Sequence, residues 1–414
     1  MKLKNLLLAS ILALVFATAC QLKMPKLPGN ASQASELASA ANLLDVKCSD
    51  NENQIIPFDE LTREEINCFR DDPKSLVLYT ALKEQHLEAF RPLFAKSFPD
   101  MKVVWLGDST GNITRRLIDE KDMPVADVVW GVAASSLLLA DAEGVIEAHT
   151  PANLSRVNPL MRDELDPPHW VGIHAFATTL CINPREMQRL NLPTPLSWQD
   201  LRNPIYRNPE TGAGYLVMPN PGKSGTGYAM VSGWIQIYGE EEAWALMDEL
   251  HPNMREYTSS GRAPCNLVAD GVYPLGLSFV SAATDKRREG FPVISLLPEE
   301  GVGWDVEANA KVLKPDTKEL ANDFLDWAIS DGVMYIDAQF FPLTSVKPAI
   351  PPSLPLGYPR NLSDYLIPQN FSWRTANYKR ITDEWLKRYR DQSGPSSPQL
   401  ELPAQDSADE AGMQ

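Results

Sequence analysis

Between residues 75 and 142 the chain repeats one pattern three times: a short apolar, β-prone run, then a stretch with apolar residues at helical spacing. Residues 75–79 precede 83–94, where Leu87, Phe90 and Leu93 share a helical face. Residues 101–106 precede 112–121, and 125–130 precede 135–142. Such alternation predicts an α/β layer with a largely parallel sheet, its ligands held at the carboxyl ends of the strands. A second region reads similarly, with strands at 177–183, 215–218 and 272–280 and helices at 198–201, 228–238 and 241–250. Asp316 or Thr317 is expected to cap a helix bearing Leu320, Phe324 and Trp327. A Pro-rich span, 342–368, leads to a helix over 373–390, whose Tyr378, Ile381, Trp385 and Tyr389 are expected to pack on the first lobe. Beyond this alternation, no stretch of sequence recurs along the chain.

The 414 residues allow two to three domains, and 44% hydrophobic with 22% charged residues is a globular composition. The net charge of −16 argues against a nucleic-acid partner. Lys2 and Lys4 precede an apolar run over 6–19, too short for a membrane span of ~20 residues, so 1–19 reads as a signal peptide. The small residues just before Cys20 resemble the lipobox of bacterial lipoproteins. That resemblance implies a lipidated Cys20 and, with Gln21 following, sorting to the outer membrane in a Gram-negative cell. Residues 20–72 are expected to be a tether and N-terminal extension, and 393–414 a disordered tail. The other cysteines, Cys48, Cys68, Cys181 and Cys265, are even in number in an exported chain, which favours disulfides. Three pairings are open: 48 with 68 would clip the extension, and 181 with 265 would tie two distant segments. No zinc-ligand spacing accompanies them.

Three hydroxyl-rich helix starts stand out: Tyr79-Thr80, Asp108-Ser109-Thr110-Gly111, and 219–227 with Ser224 and Thr226. A helix start offers backbone N–H groups and the positive end of the helix dipole, which suits an anion. Starts from two lobes could converge on one anion across a cleft. Two enzyme readings compete. Gly107-x-Ser109-x-Gly111 fits a nucleophile elbow and, with Asp166 and His169, the serine, aspartate and histidine of a GDSL-like esterase. Its place early in the chain is wrong for both. Gly222-Lys223-Ser224 has Val217 where a P-loop needs glycine, which excludes nucleotide hydrolysis. His86, His149, His169, His174 and His251 lack metal-ligand spacing.

The blocks YTAL (79–82), DSTG (108–111), ADVVWG (126–131), PPHWVG (167–172), MPNPGKSGTG (218–227), YTSSGRAPC (257–265), EEGVGWDVEA (299–308) and WRTANYKRITDEW (373–385) occur in order. They resemble the solute-binding proteins of ABC importers, in particular the 2-aminoethylphosphonate-binding subfamily near the ferric-iron-binding proteins. The resemblance implies a two-lobed, type II periplasmic-binding fold of α/β class, with lobe one at 74–172 plus 305–392 and lobe two at 173–304. Hinges are expected near 172–178 and 300–310. It also implies a monomer without cofactor, outside the cytoplasm, with an ABC permease as partner. Residues 278–282 lack the tyrosines that hold iron in the iron-binding relatives. His174 and Val280-Ser281 stand where the phosphonate subfamily has an acidic residue and a Glu-Tyr pair. The expected ligand is a phosphonate or related phosphorus oxyanion, met by Tyr79, Thr80, Ser109, Thr110, Ser224 and Thr226 and walled by Trp130 and Trp304. Asp108, Glu299, Glu300 or Asp305 would meet an ammonium.

Overall fold

The computed structural model describes residues 55–58, 70 and 72–389. Cys20, Cys48, Cys68, the expected signal peptide, most of the expected extension and the expected tail lie outside them. The chain opens with β1 (Ile55–Pro57), β2 (Ser75–Thr80), α1 (Glu84–Ser97), β3 (Lys102–Gly107), α2 (Thr110–Asp119), β4 (Val128–Ala133), α3 (Ala134–Ala142) and β5 (Ile146–Glu147). A long strand, β6 (Val171–Ile182), leads to α4 (Pro184–Arg189), β7 (Leu216–Pro219), α5 (Gly225–Tyr238), α6 (Glu240–Leu250), β8 (Met254–Thr258), α7 (Ala263–Ala269), β9 (Leu275–Phe279), α8 (Val280–Arg288) and β10 (Ile294–Leu296). Then come β11 (Trp304–Val312), α9 (Glu319–Ala328), α10 (Asp331–Asp337) and α11 (Phe371–Tyr389).

Strands β1, β3, β2 and β4 run parallel in that spatial order, and β11 closes this half antiparallel to β4. Strands β9, β7 and β8 are parallel in the other half. Both halves share β6. Its residues 171–177 pair with β11, and 178–182 pair with β9, so one strand carries the chain from one half to the other. The segments expected as hinges, 172–178 and 300–310, lie on β6 and around the start of β11. All residues of β2 and β4 are buried, because helices cover both faces of a parallel sheet.

Trp130, expected in the cleft wall, sits instead in the core of the first half. Its ring centroid lies 5.3 Å from Trp105, 5.2 Å from Phe90 and 5.5 Å from Phe324. Thr317 does not cap α9; its hydroxyl donates to the Lys314 carbonyl and to Glu147. Helix α11 packs on α3 of the first half and also on α5 of the second. Tyr378 meets Tyr228 and Trp385 meets Tyr257, both with centroids 4.7 Å apart, so its aromatic stripe faces the second half as well as the first. Cys181 of β6 and Cys265 of α7 form a buried disulfide with Cα atoms 5.5 Å apart, pinning that helix to the crossing strand. Among the described residues no helix is long and apolar enough to cross a membrane.

Candidate functional site

A cavity of about 440 Å³ lies between the halves, within the size range of small-molecule pockets. Two helix starts meet at its rim. A Cβ on Gly111, in the first turn of α2, would come 2.7 Å from the Lys223 carbonyl oxygen, and Thr110 lies against Gly225 at the start of α5. Glycine is required at 111 because backbone from the other half occupies the space of a side chain. The segment preceding α7 closes in as tightly: a Cβ on Gly261 would sit 2.2 Å from Thr226 Oγ1 and 3.0 Å from Ser224 Oγ. Amide groups and hydroxyls at 109–110, 224–226 and 259–261 therefore line one space.

Their hydrogen bonding is incomplete. Ser224 Oγ accepts from the Gly227 N–H as the N-cap of α5. Ser109 holds the same position on α2, yet its hydroxyl makes no cap bond and is buried without a partner. Arg262 is 9% exposed; its Nη1 donates to Asp285 Oδ2 at 2.6 Å, its guanidinium lies over Phe279, and its buried Nε has no partner. Lys83, open to the cavity, has its pKa lowered by the surrounding protein and by the Arg262 charge. Two cations that disfavour one another, beside hydroxyls short of partners, make a cradle for an anion.

Contacts run across the cavity between the halves. His86 on α1 lies 3.6 Å from Asp285 on α8. Burial lowers the His86 pKa against the pull of Asp285. Burial would raise that of Asp285, but His86 and Arg262 hold it below the ordinary carboxylate value. Behind the lining residues Phe341 and Glu307, buried His174 of β6 stacks on Phe341 with centroids 3.6 Å apart. Its Nδ1 lies 3.0 Å from both Asp337 oxygens, and its Nε2 lies 3.0 Å from Glu307 Oε2 of β11. Burial opposes the charged imidazole, but Asp337 and Glu307 outweigh it and raise the His174 pKa to about 9.

The profile of the bacterial extracellular solute-binding proteins matches residues 123–366, more than half of the chain. The chain belongs to that family. A curated relative of this solute-binding protein, an uncharacterized Haemophilus influenzae protein, is 26% identical over 258 residues, 62% of this chain and 72% of the relative. Among solved structures, the periplasmic binding protein AfuA of Actinobacillus pleuropneumoniae with fructose-6-phosphate bound is similar at 23% identity and TM-score 0.69, over 77% of this chain and 99% of that one. The periplasmic binding protein P5PA gives 23% and 0.67, over 76% and 99%. Apo ferric ion-binding protein A of Pasteurella haemolytica gives 17% and 0.62, over 78% and 100%. The fold is the two-lobed type II periplasmic-binding arrangement, and the protein is an extracellular solute-binding protein of the ABC-importer type.

Within this solute-binding protein, Ser109, Thr110, Ser224 and Thr226 come together at the cavity, with Asp108 at its edge. The other expected residues do not. Tyr79 is buried against Phe58, donating to Glu120 Oε2 and accepting from Arg116 Nε. Thr80 Oγ1 accepts from the Leu82 N–H and is 1% exposed. Trp304 donates to the Ile367 carbonyl and lines a separate cavity of about 1110 Å³. Asp305 is fully buried against Arg374 and Ser135. Glu300 accepts from the Trp198 N–H and the Tyr238 hydroxyl, while Glu299 is exposed outside the cavity. No esterase triad forms, because His169 is bound to Asp141 and lines a different small cavity, and Asp166 is exposed. Lys83, His86, Ser259, Ser260, Arg262 and Glu307 line the cavity unforeseen. Ser-Ser-Gly-Arg at 259–262, just before a helix, was a readable fourth start; Glu307 inside a strand carried no such signal.

Proposed function

We propose that this protein captures a small phosphorus oxyanion compound, a phosphonate with 2-aminoethylphosphonate as the leading candidate, and delivers it to an ABC permease. The observation that carries this reading is the meeting of the two helix starts at Thr110 and Gly225, where the Ser109 hydroxyl and the Arg262 Nε have no protein partner. A phosphonate or phosphate dianion needs several donors at once, and helix-start amides with hydroxyls supply them. AfuA, of like fold, holds a sugar phosphate.

Calorimetric titration against phosphonates, phosphate esters, inorganic phosphate and ferric iron tests it. Wild type should bind a phosphorus compound, and Ser109→Ala and Thr226→Val should each weaken binding about ten- to a hundredfold. Ser109→Ala should leave the melting temperature nearly unchanged, because that hydroxyl bonds to no protein group. Unaltered affinity in both variants, or binding of iron alone, overturns the reading.

The Cys20 thiol is the proposed site of the lipid anchor. Metabolic labelling with a palmitate analogue should tag the wild type and leave Cys20→Ala unlabelled; equal labelling of the two removes the anchor from the proposal. One diacylglyceryl thioether with an acylated N-terminus gives stable attachment, since a single chain alone is marginal.

A further inference from the structure

The two halves also meet through a titratable ring. His86, 2% exposed on α1, places Nε2 3.6 Å from Asp285 Oδ2 of α8 and 3.4 Å from Gln85 Nε2, and its buried Nδ1 has no hydrogen-bond partner among the described residues. The same Asp285 oxygen already accepts from Arg262 Nη1 at 2.6 Å. A charged imidazole donates from both nitrogens and needs an acceptor at each. Here one nitrogen has none and the other would share an oxygen with a guanidinium, so the neutral ring fits this contact and the charged ring does not. Burial accordingly lowers the His86 pKa, and the Arg262 charge adds to it against Asp285 and Glu307. Phe340 and Phe341 of the first half hold the ring, with centroids 4.6 and 5.1 Å away. Arg288 of α8 lies over Phe340 and donates to the Gln339 carbonyl at 3.2 Å, so α8 rests on the first half at the same corner. The charged groups around the ring and its partner are Asp285 and Arg288 on α8, Arg262 ahead of α7, Glu307 on β11 and Lys83 just before α1.

We infer that His86 is a proton-sensitive latch between the halves: neutral, it lets α8 close on α1 with Asp285 holding Arg262 at the cavity; protonated, it drives the two apart and loosens the ligand. The consequence for the ligand rests on the anion reading above, whereas the latch itself does not. Separated halves give both ring nitrogens to water, where the ring titrates near its ordinary value of about 6.5. The open form therefore binds the proton more tightly than the closed one. Closure is fully available above that value and is lost as pH falls through it. Arg262, Arg288 and Lys83 stay charged across this range, and Asp285 is held below the ordinary carboxylate value, so the ring is the member of this corner that changes.

Small-angle X-ray scattering of the ligand-free protein at pH values of about 7.5 and 5.5, one unit to either side of the ordinary histidine value, tests the latch. The wild-type radius of gyration should rise at the lower pH. His86→Gln should keep one value, and His149→Gln, whose ring meets Asp326 on α9, should open like wild type. If His86→Gln does not melt cooperatively, His86→Phe, an uncharged ring, takes its place with the same expectation. Wild-type scattering unchanged over that range, opening that survives the loss of the His86 ring charge, or opening abolished in His149→Gln instead overturns the latch. Calorimetric titration with 2-aminoethylphosphonate at the same two pH values reads the consequence. Wild type should lose about three- to tenfold more affinity on acidification than His86→Gln, the ligand's own ionisation being common to both. Equal losses overturn the coupling of latch to ligand. No binding by either protein overturns the phosphorus reading and leaves the latch to be decided by the scattering.

Discussion

His174→Ala is expected to lower the unfolding free energy by about 3–5 kcal/mol at pH 6.5, the usual consequence of removing one partner from a buried charge cluster. The imidazole is fully buried between Asp337, 3% exposed, and Glu307, and its loss leaves two carboxylates facing one another across the space it filled. The same geometry sets a pH dependence. The folded His174 pKa of about 9 lies above the ordinary value of 6.5, so the proton is bound more tightly in the folded state. Its contribution is fully present below about pH 6.5 and is lost as pH rises through about 9, a change on the order of 3 kcal/mol. Urea unfolding of wild type and variant from pH 6.5 to 9.5 should show the gap between them narrowing. A gap that stays constant over that range shows that His174 is not charged in the folded protein.

How much of this was written in the sequence depends on whether a residue's role is local. The helix starts at Ser109 and Ser224 were legible because capping is decided by a few neighbouring residues, and both lie at the cavity. The β2 strand, expected over 75–79, runs Ser75–Thr80. Which way Tyr79 and Thr80 point was not legible, because a strand buried on both faces has no polar side to mark the cleft. Tyr79 went to Glu120 and Thr80 turned its hydroxyl to its own backbone. Trp130 and Trp304 were large aromatics near the right motifs, yet one fills the core and the other backs a different cavity. The strand expected over 177–183 begins at Val171, since its first half is held by β11, more than a hundred residues later. Glu307 belongs to that same distant pairing, opposite His174. Only the fold makes the two neighbours. The Cys181–Cys265 bridge was one of several open pairings until β6 and α7 stood side by side.

The second large effect should come from Arg374. Its side chain is fully buried in α11 and serves three acceptors: Nη2 donates to Asp305 Oδ2 at 2.9 Å, Nη1 to the Trp304 carbonyl at 3.0 Å, and Nε to Ser232 Oγ at 3.1 Å. Those acceptors lie on β11 and α5, so one guanidinium joins the last helix to β11 and to the second half. Arg374→Met should cost about 3–5 kcal/mol in denaturant unfolding, because Asp305, itself fully buried, keeps only the Ser135 hydroxyl and the Val306 N–H as donors. Arg374→Lys should recover little: a single ammonium cannot reproduce a planar fork aimed at three separate oxygens. The double change Arg374→Met with Asp305→Asn should regain at least ~1 kcal/mol over Arg374→Met alone, since it removes the unpaired charge along with its partner. A single Arg374→Met variant within ~1 kcal/mol of wild type would show that the pair does not hold the strand.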